Sequence, residues 1–174
     1  MLNNKQIAEE LQYIKKFCDE YEFDTEFVPD MMGSSEPMLM AFLPTSDESV
    51  WSGEDLPEDP HVAMLLITQI PSENEETQPI RTKYLKIYTR VMVDLSEASE
   101  LSILKLINDA NSELDMGRLY YSASEGDEMP MVKYIIELPE DIETEFAPEA
   151  VAEAIVYAGG IYDWMKEALQ KLTK

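Results

Sequence analysis

Between Ile80 and Val93 the chain runs without a single acidic residue, although 36 of its 174 residues are Asp or Glu and only 13 are Lys or Arg. Within that stretch side chains alternate from Thr82 onward. Leu85, Ile87, Val91 and Val93 fall on one side, and Tyr84, Lys86, Tyr88, Arg90 and Met92 on the other. Alternation with a period of two is the signature of a strand, and its length calls for an antiparallel neighbour. The preceding run, Val62 to Ile70, is apolar on both alternating faces. It reads as a central strand covered from both sides and as the partner of the first. These two strands set the sheet around which everything else must pack.

The remaining periodicities supply helices and further strands. Ile7, Leu11, Ile14, Cys18 and Tyr21 recur at spacings of three and four, which predicts an amphipathic helix over residues 4–21. Met38 to Leu43 is a short apolar strand closed by Pro44, and the proline-rich, acidic residues 44–60 read as a solvated loop. Pro71 to Pro79 is a polar connector. A second helix is expected from about Ser96. Asp94 and Glu97 are spaced as a capping box, and Leu101, Leu104, Ile107 and Leu114 form the apolar stripe. Gly117 breaks that helix. Arg118 to Ala123 and Met131 to Leu138 then form a hairpin around the Glu125–Glu128 turn. Pro148 opens a final helix whose apolar positions run from Val151 to Leu172.

The order α-β-β-β-α-β-β-α implies an α+β fold: one domain over residues 1–174, with a twisted antiparallel sheet flanked by helices. Residues 1–6 have no basic stretch leading into an apolar core, and Val62 to Ile67, as long an apolar run as any in the chain, is far too short to span a bilayer. A cytoplasmic location is the expectation. The single cysteine, Cys18, excludes an intrachain disulfide. A formal charge of −23 repels phosphates, which disfavours direct contact with nucleic acid or an anionic membrane.

Chemistry is sparsely provided for. His61 is the only histidine, so no His cluster exists for a transition metal, and Cys18 sits on an apolar helix stripe as a core side chain would. No nucleophile elbow, phosphate-cradling glycine loop or dinucleotide fingerprint is present. The acidic groups Glu73/Glu75/Glu76, Glu125/Asp127/Glu128 and Glu140/Asp141/Glu143/Glu145 lack the alternating oxygen ligands of a calcium loop. Neither catalysis nor a cofactor is expected. Two features stand out instead. The face Tyr84, Lys86, Tyr88, Arg90 and Met92 has the residue types enriched in interface cores, and is either a binding surface or a face covered by a helix. Gly159 and Gly160, inside the last helix, cost roughly 2 kcal/mol against alanine and point either to close internal packing or to a dimer contact.

The stretch from Leu104 to Tyr120, with Asn108 and Asn111 three apart on a helix that runs into Gly117, Arg118 and a strand, resembles the YbjN family of bacterial proteins. The strand ending Glu137-Leu138-Pro139 and the helix opened by Pro148-Glu149-Ala150 fit the same pattern, and the likeness is best over residues 95–172. The resemblance implies the fold of type III secretion chaperones, frequent dimerisation, and a loosely defined regulatory or sensory role without established chemistry. Asn108, Asn111, Gly117 and Arg118 match as architectural residues: the asparagines to satisfy nearby backbone and Gly117 to supply a left-handed helix stop. The expected function is thus a non-catalytic, chaperone-like or regulatory module that binds a protein or peptide, with a homodimer as its assembly. The alternatives are an acidic decoy that mimics nucleic acid and occupies a basic protein, or an enzyme using carboxylates.

Overall fold

Asn3 and Gln6 cap the first helix reciprocally: each side chain accepts from the other's backbone N–H, at 3.0 Å in both directions. That box starts α1 (Asn4–Glu20) about two turns ahead of the first of its buried positions, Leu11, Ile14 and Cys18. The computed structural model describes residues 2–29, 36–43, 61–69, 81–123 and 129–173. The acidic loop 44–60, the connector 71–79 and the Glu125–Glu128 turn lie outside them, as do Glu73, Glu75 and Glu76.

After α1 come β1 (Thr25–Val28), β2 (Met38–Phe42), β3 (Val62–Gln69) and β4 (Thr82–Val91), then α2 (Glu100–Glu113), β5 (Arg118–Ser122), β6 (Met131–Asp141) and α3 (Pro148–Leu172). The expected α+β class and antiparallel sheet are present, with β1 as an additional short strand. All neighbours pair antiparallel in the order β1-β2-β3-β4-β6-β5, so the two strands that define the sequence pattern lie side by side at its centre. β4 pairs with β6 along its whole length, from Thr82↔Asp141 to Val91↔Val132.

One face of this sheet meets all three helices. Leu39, Leu65, Leu85, Ile87, Val132 and Ile136 from the strands form a single buried cluster with Leu11 and Ile14 of α1, Ile103 and Ile107 of α2, and Ile155, Tyr162 and Met165 of α3. The expectation that β3 is covered on both sides is therefore corrected. Ala63, Leu65 and Ile67 are buried beneath the helices, whereas Val62, Met64 and Leu66 on its other side are half-buried, facing away from them.

The second helix also departs from its expected start. It begins at Glu100, with the Ser99 hydroxyl accepting the backbone N–H of Ser102 at 3.2 Å. Asp94 instead closes a turn upstream by accepting the N–H of Ser96 at 2.9 Å. This bond holds its carboxyl below the usual range. The buried face also differs from the expected stripe: Ile103, Ile107 and Ala110 are buried, and Leu101 is 78% exposed.

Two turns are fixed by close contacts. Gly117 has φ +73°, and an added Cβ there would lie 2.7 Å from the Ile135 carbonyl and from the Tyr134 hydroxyl. It sits in the turn beyond Leu114, where α2 is already capped, so it serves the approach to β5 and does not itself stop the helix. Beside it, the buried Tyr134 donates its hydroxyl to the Met116 carbonyl, and burial pushes the phenol's pKa up. Asn111 accepts the Leu119 N–H at 2.8 Å and donates to the Leu119 carbonyl at 2.9 Å. This is the backbone role that the resemblance implies for it.

Candidate functional site: the helix-free face of the sheet

Pleating sends alternate residues of β4 to opposite sides, and the structure divides them along that line. Lys83, Leu85, Ile87, Thr89 and Val91 are buried under the helices; Tyr84, Lys86 and Tyr88 are half-buried and Arg90 is exposed on the opposite side, with Met92 beyond the strand end 48% exposed. Among the described residues, no helix packs on that side. The alternative in which a helix covers this face does not hold for them.

Register brings neighbours from every strand alongside these residues. Met40 lies opposite Met64, Met64 opposite Tyr88, Tyr88 opposite Ile135, and Ile135 opposite Arg118, which makes one row across the sheet. A second row runs Leu66, Lys86, Glu137, with Lys86 Nζ and Glu137 Oε1 paired at 2.9 Å. A third places Arg90 opposite Lys133 and Lys133 opposite Tyr120. The expected residues thus form the central strip of a wider surface. Met40, Met64 and Ile135 are not singled out in the sequence, because β2 and β3 are apolar on both faces until the helices are known to lie on one, and Ile135 stands inside the apolar run Tyr134-Ile135-Ile136.

Arg90 folds back along its own strand. Its Nε donates to the Tyr88 hydroxyl at 3.1 Å, and its guanidinium carbon is 6.0 Å from the centre of the Tyr88 ring. Past Arg90, at the strand end, a cleft of about 330 Å³ is lined by Met92, Met129 and Met131 together with Val91, Val93, Asp94 and Pro130. Met129 is 74% exposed. The surface offers flexible apolar contact interleaved with cations, and no nucleophile.

The glycine pair separates. α3 is continuous over 25 residues; Gly159 is buried on its inner side, while Gly160 faces open space between the exposed Val156 and Trp164. The two glycines therefore do not form one contact surface.

The reactive residues occupy structural settings. Cys18 is buried in the α1 stripe, and burial pushes its thiol up to about 11. The His61 ring lies against that of Tyr162, centroids 4.1 Å apart and planes tilted by 38°, with Nδ1 4.0 Å from Asp163 and Nε2 3.3 Å from the Lys166 ammonium. Of the acids Glu140, Asp141, Glu143 and Glu145, Asp141 is engaged in its own turn, accepting the Glu143 N–H at 2.9 Å. No group of three or more potential ligands is brought together to hold a metal among the described residues. No helix among them is long and apolar enough to cross a membrane. No protein-family model, no curated protein and no solved structure matches the chain.

Proposed function

We propose that this protein is a non-catalytic binding module, chaperone-like or regulatory, that presents the helix-free face of its sheet to a protein or peptide partner in the cytoplasm. The observation that carries the reading is the row Met40, Met64, Tyr88 and Ile135 on a face without a covering helix among the described residues. Apolar and aromatic side chains left half-exposed in adjacent rows form the kind of continuous patch that soluble proteins reserve for contact. Tyrosine, methionine and arginine are also the types that anchor interfaces. The YbjN-like resemblance supports the same reading, and a homodimer belongs to the proposal on that ground.

A photo-crosslinking residue placed at Tyr88 tests it in living bacteria, with the same residue at the exposed Glu100 on the helix side as control. A discrete adduct formed from Tyr88 and not from Glu100 supports the module. Failure to form any adduct at Tyr88 removes it. The charge of −23 favours a second reading, an acidic decoy for a basic protein. In that case basic proteins should crosslink from both positions and be released readily by salt.

A further inference from the structure

We propose that the end of the helix-free face, where Arg90 and Lys133 adjoin the methionine cleft and Arg118 follows in the neighbouring Tyr88–Ile135 row, binds a short acidic peptide segment that also carries apolar side chains; this rests on the face-binding reading above. Three observations point to that chemistry. The first is the placing of charge. Arg90 and Lys133 stand directly opposite each other on β4 and β6, and Arg118 projects from the next strand, opposite Ile135. Like charges placed opposite one another on a sheet oppose folding, and acids outnumber bases 36 to 13 in this chain. Lys86 is matched by Glu137 at 2.9 Å, yet among the described residues none of these three cations is paired with a carboxylate. The acid beside them, Asp94, is already held by the Ser96 N–H at 2.9 Å.

The second observation is orientation. The Tyr88 hydroxyl takes one donor of Arg90, at 3.1 Å, and so steadies the guanidinium while leaving its other donors available. A guanidinium fork matches a carboxylate with two parallel hydrogen bonds. The third is the cleft of about 330 Å³ beside it, walled by Met92, Met129 and Met131. Thioether side chains repack around differing apolar groups, so they suit a peptide side chain of no single shape.

A segment of alternating acidic and apolar residues satisfies all three at once. Extended on the sheet, it directs carboxylates to the cations and apolar side chains to the cleft. Asp94 lines the cleft, but its carboxylate is turned to the Ser96 N–H, and charges more than about 8 Å away are largely screened at physiological salt while contacts at the patch are not. A nucleic acid strand offers phosphates, but its continuous charge would extend past the patch onto a protein of charge −23.

Fluorescence anisotropy on the full chain tests the proposal. The probes are a short labelled peptide alternating glutamate and leucine, its serine–leucine and lysine–leucine counterparts, and an oligouridylate of similar length. The glutamate peptide should bind best. The double variant Arg90→Glu/Lys133→Glu should weaken it by about tenfold or more, and the milder Arg90→Gln/Lys133→Gln should weaken it in the same direction. If the serine peptide binds equally well, or neither double variant has an effect, the acidic preference is wrong. The face-binding reading still stands in that case provided Tyr88→Ala weakens binding. If Tyr88→Ala and the double variants all leave binding unchanged, both readings fall. Tighter binding of the oligouridylate, or of the lysine peptide, overturns the proposal, as does the absence of binding by every probe.

Discussion

Glu10 on α1 and Lys83 on β4 form an ion pair inside the protein, their side chains 10% and 3% exposed, with the Lys83 ammonium 5.1 Å from the centre of the Phe146 ring. The pair joins the first helix to the middle of the sheet across 73 positions of sequence. Removing one partner strands a buried charge. Glu10→Ala should therefore cost about 3–5 kcal/mol in a urea denaturation curve. Replacing both together, as Glu10→Leu/Lys83→Met, should restore most of that loss, because a buried ion pair can often be exchanged for well-packed apolar side chains at little net cost.

Tyr88 on β4 and Tyr134 on β6 are one position out of register, with Tyr88 opposite Ile135 and Tyr134 opposite Thr89, and so they point to opposite sides of the sheet. Tyr134 is fully buried, so Tyr134→Ala should destabilise by about 3–5 kcal/mol. Tyr88→Ala on the open side should cost about 1 kcal/mol or less and leave the far-ultraviolet spectrum unchanged. A loss at Tyr88 as large as that at Tyr134 would mean the face is covered.

Two glycines should respond to alanine with opposite signs. Gly117→Ala forces a side chain into φ +73° against the Ile135 carbonyl and should destabilise by at least about 2 kcal/mol. At Gly160 a Cβ meets nothing within 4 Å, so Gly160→Ala should stabilise by about 0.8–1 kcal/mol. Thermal melting of the two variants checks both.

Cys18 should be almost inert in the native protein. Its thiol is raised from 9.0 to about 11, so the thiolate population at pH 8 falls by roughly a hundredfold relative to the unfolded chain. Labelling by a thiol reagent should be slow until denaturant is added. The sign of the pH effect follows. Well below pH 9 the thiol is neutral in both states and has no effect on stability; as pH rises through about 9 towards 11 the unfolded state ionises first and stability falls. A Cys18→Ala variant should lose that part of the alkaline slope.

Sedimentation equilibrium addresses assembly. A homodimer should sediment at twice the 19.9 kDa chain mass at micromolar concentration, and a single species at 19.9 kDa would remove the dimer from the proposal.

The central strands were readable because alternation over ten residues of β4 leaves no second solution for the backbone. β1 was not, since Thr25 to Val28 is four residues long and only Thr25 is buried, too brief a run for a period to show. α2 misled for a physical reason: Asp94 and Ser99 can both cap, and only packing selects the later start and the face with Ile103 and Ile107 over one with Leu101. Alternation puts Lys83 on the side of Leu85 and Ile87, but nothing local announces that a lysine there finds Glu10 across 73 positions of sequence. The helix-free face was half visible. Its β4 strip follows from alternation, whereas Met40, Met64 and Ile135 join it only through cross-strand register.

Asn111 has a consequence beyond the turn it steadies. β5 is the last strand of the sheet, and Asn111 occupies both backbone groups of Leu119 that point away from β6. A bare edge there would be a template on which another chain could add a strand and continue indefinitely. With those two groups taken, growth by templated strand addition is interrupted midway along β5, so the sheet is guarded against fibrous self-assembly on this side. Substituting Asn111 by leucine, of similar size but without hydrogen-bonding atoms, would therefore be expected to appear first as a slow loss of colloidal stability on storage, before any change in folding cooperativity.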